Sequence, residues 1–406
     1  MHQYDPVSQS RWMGHRIAQV PQRITDEMIG ASIYLVEHVD ANLGYQAAAT
    51  YRAAQRWVKA IEEGEHVWLS VAGAATPVGL GGLFADLIAR GLVDVIVCTG
   101  ANVYHDLHFA CGLPVRHGEA RVDDDDLRRD ETTRIYDRFI HNRWTLKGQD
   151  LINQLYGREV FKRLTSPFST ATLLYELGKE FREDKFGYVI DRKGSFVLRA
   201  AEYDVPIFLD SGSNHSLAMD FVPLKLFEGL HVDTSPSQDI LEAATLTVHT
   251  QPQLNVFLGE GGPRNFAQTT GPTASEIFYI LFEGSAGSIR FTTADERTGG
   301  LSGSGESEAV TWGKYIDADP QREVVVWSEY TTTAPRVMAY VAGKAGSREP
   351  RRLITKKDEI LSRFMEQIES SKEKRATEQA SLREMLPHVI AAEKAAREKA
   401  GYKFEE

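Results

Sequence analysis

Lys314 follows Trp312 by two residues and Glu308 by six, just beyond a loop rich in glycine and serine that spans 299–305. A lysine becomes a nucleophile when its amine is partly neutral, which requires a desolvated and shaped pocket. The Trp312 indole would supply a dry wall. Glu308 would oppose the loss of charge, yet it would grip a cationic substrate, so the trio fits an amine or polyamine site better than one for acidic metabolites. Taken without its surroundings, such a trio is more often a packed aromatic beside a solvated charge.

Composition narrows the partners. The chain has 406 residues, a formal charge of -11, 42% hydrophobic and 25% charged residues, enough to bury a large core. That charge argues against a nucleic-acid binder, whose affinity rests on clustered Lys and Arg. The N-terminus lacks a basic-then-apolar leader pattern and no apolar run reaches membrane-spanning length, so a cytoplasmic protein without membrane contact is expected. Cys98 and Cys111 form no CxxC pair and have no histidine ligands nearby, so both read as buried small hydrophobes, with no metal site.

The elements that would position these residues alternate between short apolar runs and helical stretches, the pattern of a parallel α/β sheet. Strands are expected at His66–Val71, Val93–Cys98, Val205–Leu209, Leu254–Leu258, Ile277–Phe282, Ile289–Thr292 and Glu323–Trp327, with a helix over Leu80–Arg90. Turns rich in glycine or small polar residues follow them at 72–82, 99–102, 210–214 and 259–262. Such turns serve either a nucleotide or only the reversal of the chain, because neither a strict GxGxxG nor a P-loop is present. A catalytic unit over 1–345 and a charged helical tail over 346–406 are expected, with Pro387 breaking or bending the tail.

Val93 to Thr99, the turn at Gly259, Thr293-Ala294 and above all Glu308 to Lys314 resemble, in order and interval, the deoxyhypusine synthase family. The resemblance covers about 65–340 and leaves the tail outside it. It implies a homotetramer with a Rossmann-like NAD-binding core and active sites at subunit interfaces. It further implies transfer of an aminobutyl group from a polyamine through an imine on Lys314. Carried over by position, NAD contacts fall on Thr99, Gly100, Ala101, Asn214, Thr293, Ala294 and Glu329, whereas Pro77 in the first turn has no amide hydrogen to offer.

The amine-binding positions depart from the family pattern. Tyr104 and His105 stand where it has two glutamates, Asn265 where it has a histidine, and Leu301 where it has an aspartate; Asp220, Glu308, Trp312 and Lys314 match it. Each lost charge-assisted hydrogen bond removes roughly 1.5 to 3 kcal/mol of grip on a polycation. A changed amine substrate is therefore expected, with a homospermidine-type small diamine acceptor as plausible as a protein lysine. Two other readings remain: an NAD-dependent amine oxidoreductase that stops after oxidation, and a nucleotide-binding assembly protein. His105 is expected to line the pocket rather than act as base, Asp106 to sit at a helix start, and Glu260 to be an exposed turn charge.

Overall fold

The computed structural model describes residues 7–165, 167–317, 319 and 321–404. Among the described residues nine strands are formed: β1 His66–Val71, β2 Val95–Cys98, β3 Val115–His117, β4 Thr132–Ile135, β5 Arg138–His141, β6 Ile207–Leu209, β7 Gln253–Leu258, β8 Gly287–Thr292 and β9 Glu323–Trp327. Six of them make one parallel sheet in the order β6-β2-β1-β7-β8-β9. Every residue of β2, β7 and β8 is buried, as expected for strands covered on both faces.

Alternation along β1 divides the core. Val67, Leu69 and Val71 face one large cluster, shared with the helices Tyr45–Glu62, Gly100–Ala110 and Tyr330–Lys344, among others. Trp68 faces the other, with Val95, Val97, Phe208 and Phe257, under the helices Pro236–His249 and Gly262–Pro272.

Chain order runs outward in both directions from β1 and β7, so the direction of winding switches between these two strands. At such a switch the flanking connections leave on opposite faces and open a crevice at the carboxyl ends of the strands. The register sets Val71 level with both Cys98 and Leu258, and Cys98 level with Leu209. All the loops after these strands therefore emerge along one edge.

Seven strands were expected in this sheet, and Ile277–Phe282 is not one of them. A π-helical turn occupies Thr273–Ile277 and an irregular stretch follows, with Tyr279 left-handed and Leu281 exposed. The place beside β7 is taken by β8, and Ile280 packs instead against Phe364 of the C-terminal helix. The separate antiparallel sheet β3-β5-β4 was not expected, since strands of three or four residues rich in Thr, Arg and His carry little apolar pattern.

The C-terminal helix spans Lys357–Lys399, and Pro387 does not end it. Proline removes one backbone hydrogen bond, and the strong helix formers around it carry the helix on. Its first turns dock through Ile360 and Phe364, while Leu382, Met385, Leu386, Val389 and Ile390 are exposed. Cys98 and Cys111 are both free thiols, the first buried and the second half-buried rather than buried.

Candidate active site

Lys314 stands just after a short helix, Glu306–Val310, and directly follows Gly313, whose φ of 65° is a conformation that favours glycine. The Lys314 N–H donates to the Ala309 carbonyl at 3.2 Å, and its own carbonyl accepts from the Ser285 N–H at 3.0 Å. Tyr315, buried beside it, is held by Gln268 Nε2 at 2.9 Å from the phenol oxygen. The lysine thus leaves a doubly anchored backbone and points its chain into a cleft of about 400 Å3.

Asn265, Glu308, Trp312 and Lys314 all line this cleft, together with Leu301. Four of the seven residues expected on the amine side thus meet there, with Leu301 beside them. Burial first, and then the positive charge of Arg264, lower the Lys314 amine below its usual value; Glu306 and Glu308 act in the opposite direction. Trp312 is 63% exposed in the single chain, so it forms a rim rather than the expected dry wall. Dryness comes from beneath, where the helix Gly262–Pro272 closes the cleft with Asn265, Thr269 and Pro272.

Beneath the same cleft lies a charge network that the sequence reading missed. Glu260, expected to be exposed, is buried: it bridges Arg264 at 2.9 Å and Arg290 at 3.0 Å. Glu306 is also buried, bonded by the Ser288 hydroxyl at 2.8 Å, and burial raises its carboxyl despite the two arginines. The only sequence signal was the four-residue spacing of Glu260 and Arg264, which suits an ion pair across one helical turn.

Tyr104, His105 and Asp220 lie elsewhere. Tyr104 belongs to the core on the β1 face formed by Val67, Leu69 and Val71, whereas the cleft helix Gly262–Pro272 packs Ala267 into the core on the opposite face. The Tyr104 hydroxyl donates to Asp150 Oδ1 at 3.0 Å, and Asn153 Nδ2 donates to Asp220 Oδ2 at 2.7 Å. Asp150 is also within hydrogen-bonding reach of Asp220, and burial followed by this neighbouring charge raises the Asp220 carboxyl against the Asn153 bond. No sequence spacing points to Asp150, because it arrives on a different helix, Lys147–Phe161.

His105 contacts His108 ring to ring, with Nδ1 atoms 3.4 Å apart, and burial lowers His105 to about 4. It is a neutral ring near pH 7. Asp106 sits not at its own helix start but on another: it accepts from the Ser195 hydroxyl and from the N–H groups of Phe196 at 3.3 Å and Val197 at 3.2 Å, capping Phe196–Tyr203.

The expected NAD contacts gather along the carboxyl edge of the sheet. Thr99, Gly100 and Ala101 follow β2, Asn214 follows β6, Thr293 and Ala294 follow β8, and Glu329 follows β9. A dinucleotide fits this edge in backbone shape, because Gly73 and Gly259 flank the switch point with φ of 70° and 69°. Thr293, Asn214 and Glu329 are exposed there with polar groups to offer. The fit is poorer at the amides that would hold a pyrophosphate: Asn102 Oδ1 already accepts from Ala75 N–H at 2.8 Å and Thr76 N–H at 3.2 Å. Tyr330 also lies across the crevice, its hydroxyl bonded to the Ala72 carbonyl at 3.2 Å and its ring beside Gly259.

A switch-point parallel sheet with a lysine cleft beside its carboxyl edge defines a Rossmann-like α/β protein with a candidate amine-handling site. The family model for deoxyhypusine synthase matches residues 34–341, and the chain belongs to that family. A deoxyhypusine synthase-like protein of Nostoc punctiforme is 32% identical over 361 residues, covering 87% of this chain and 91% of the relative. Another, from Nostoc sp., is 30% identical over 372 residues, covering 90% and 94%. Among solved structures, an Entamoeba histolytica protein proposed as a deoxyhypusine synthase superposes with a TM-score of 0.50 at 14% identity, covering 80% of this chain and 94% of that one, a likeness of fold. Among the described residues, no helix is long and apolar enough to cross a membrane.

Proposed function

We propose that this protein is an NAD-dependent transferase that moves an aminoalkyl group, such as the aminobutyl group of a polyamine or related amine, through an imine on Lys314 to an amine acceptor. Its family is one of aminobutyl transferases, and the observation that carries the finer reading is Lys314, its amine lowered by burial, lining one cleft with Asn265, Glu308 and Trp312. NAD, when bound, would take up a hydride from the carbon beside the donor's nitrogen and return it after transfer. Thr99, Gly100, Ala101, Asn214, Thr293, Ala294 and Glu329 would hold it along the carboxyl edge.

This chain's residues then divide the work. Lys314 attacks the oxidised carbon with its neutral amine and displaces the donor's remaining amine, and the acceptor amine later displaces Lys314. Glu308 offers a carboxylate to the cationic end of the substrate, and the Asn265 amide orients the amine or imine without exchanging a proton. Asp220, Tyr104 and His105 lie on the opposite face of the sheet in one chain. We therefore place the complete site between subunits of a homotetramer, where one copy's Lys314 cleft meets another's Asp220 cluster.

A small diamine acceptor, as in homospermidine synthesis, is favoured over a protein lysine, because uncharged groups stand at Tyr104 and His105 and shorten the run of carboxylates available to a long polycation. The test is incubation with NAD and a panel of putrescine, spermidine and agmatine, then borohydride reduction and mass spectrometry. An adduct on Lys314 is expected with at least one of them. Bound NAD with no adduct across the panel would sink the imine route, and substrate oxidation without an adduct would select the amine oxidoreductase reading.

A further inference from the structure

Arg264 has no exposed surface and lies behind the Lys314 cleft, next in sequence to the lining residue Asn265 and bonded to the loop that supplies Leu301 and Ser304 to the cleft wall. Its guanidinium makes a fan of bonds. Nη1 donates to Glu260 at 2.9 Å, Leu301 carbonyl at 3.3 Å and Ser302 carbonyl at 3.4 Å; Nη2 donates to the Ser304 carbonyl at 2.8 Å and lies 3.7 Å from Glu306. Arg290 adds a second tie, from Nη2 to the same Ser302 carbonyl at 3.3 Å.

The carbonyls so held belong to the loop that supplies Leu301 and Ser304 to the cleft wall. A planar fork with five donors suits several fixed acceptors at once, which an ammonium does not. Burying two arginines and two glutamates is a poor way to gain stability, since desolvation offsets most of the attraction. The bonds of this network to the loop that shares the cleft wall with Lys314 give it a different use.

We propose that Arg264 is the positioning residue of the lysine site: it ties the 301–304 loop across the cleft and, with Glu306 opposing it, sets the charge that the Lys314 amine feels. The purpose of this device rests on the imine reading above, but the device itself can be tested without substrate or NAD. Removing the Arg264 charge takes away a positive charge and leaves Glu306 without that partner and Glu260 with Arg290 alone, so the protonated amine is favoured. Removing the Glu306 charge favours the neutral amine.

The experiment measures acylation of Lys314 by acetic anhydride between pH 7 and 10, read on the Lys314 peptide by mass spectrometry in the intact protein. Arg264→Met is expected to move the midpoint upward by about one pH unit, roughly tenfold slower labelling at pH 8. Glu306→Gln is expected to move it downward, and Arg264→Lys to return it close to the parent value. A merely structural role would loosen the site in both charge variants and shift them in the same direction. Midpoints that stay put, or move together, overturn the proposal; should Arg264→Met fail to fold, the direction of the Glu306→Gln shift decides it. Failure to trap an imine in the amine panel leaves these labelling midpoints untouched, so the two ideas fail separately.

Discussion

The Lys314 cleft and the Tyr104–Asp220 cluster are both collections of amine-compatible groups at the same sheet, and they are built on opposite principles. The cleft exposes its carboxylate, Glu308, and buries a compensated network of two arginines and two glutamates beneath it. The cluster on the other face buries a carboxyl, Asp220, beside a second one, Asp150, with only neutral partners in Tyr104 and Asn153. One site withholds charge from a lysine; the other buries a carboxyl whose charge a bound cation would favour. That division matches a transferase with a nucleophile at one end and an ammonium anchor at the other.

The comparison can be broken most decisively at the nucleophile. Lys314→Ala should lower transfer by about 10^3-fold or more and abolish the borohydride-trapped adduct. If substrate-dependent NAD reduction survived at the parent rate, the lysine would not be the group that separates the two regions. Mixing Lys314→Ala protein with Asp220→Asn protein sharpens the point: if the two regions meet only between copies, reassembled mixtures should regain product that neither variant makes alone.

Asp220→Asn by itself should raise the KM for the amine by about 10- to 100-fold, from the loss of roughly 1.5 to 3 kcal/mol of charge-assisted binding. Its pH dependence has a definite sign. The Asp220 carboxyl is raised, so in the free protein it becomes charged only as pH rises, and amine binding should strengthen with pH until the amine itself loses its proton. An affinity that fell through neutral pH would contradict the cluster's role as anchor.

Tyr330→Ala should tighten NAD about tenfold in calorimetry, because the ring lies in the crevice beside Gly73 and Gly259. Weaker binding would mean that the ring contacts the cofactor instead of obstructing it. The smallest effect is expected at His105: with its ring lowered to about 4, His105→Gln should change activity less than about twofold and leave the rate profile between pH 6 and 8 unaltered. A lost limb in that range would make it an acid-base group after all.

Much of this was legible in the residues. Six of the seven expected strands are present, because buried parallel strands announce themselves as apolar runs. The exception, Ile277–Phe282, has the same composition but packs against the C-terminal helix, and no local signal distinguishes those two fates. Glu308, Trp312 and Lys314 fall within seven residues, so their shared cleft was written in the spacing, and Asn265 joined them through the family resemblance. Glu260 was misjudged because a charge after a glycine turn is usually solvated. Its burial depends on Arg264 and Arg290, the latter 30 residues along the chain on a neighbouring strand.

The sequence by itself determined the parallel α/β class, the lysine with its carboxylate and indole, and the family. Periodicity and short-range spacing carry those features, and both are local properties of the chain. Only the tertiary structure decided that Tyr104 and Asp220 stand on the opposite face from Lys314, that Asp150 joins them, that Tyr330 reaches the crevice, and that Arg264 binds the loop lining the lysine's cleft. Those relations depend on which face of a strand each connection crosses and on pairing between distant charges, which are settled by packing the whole sheet at once.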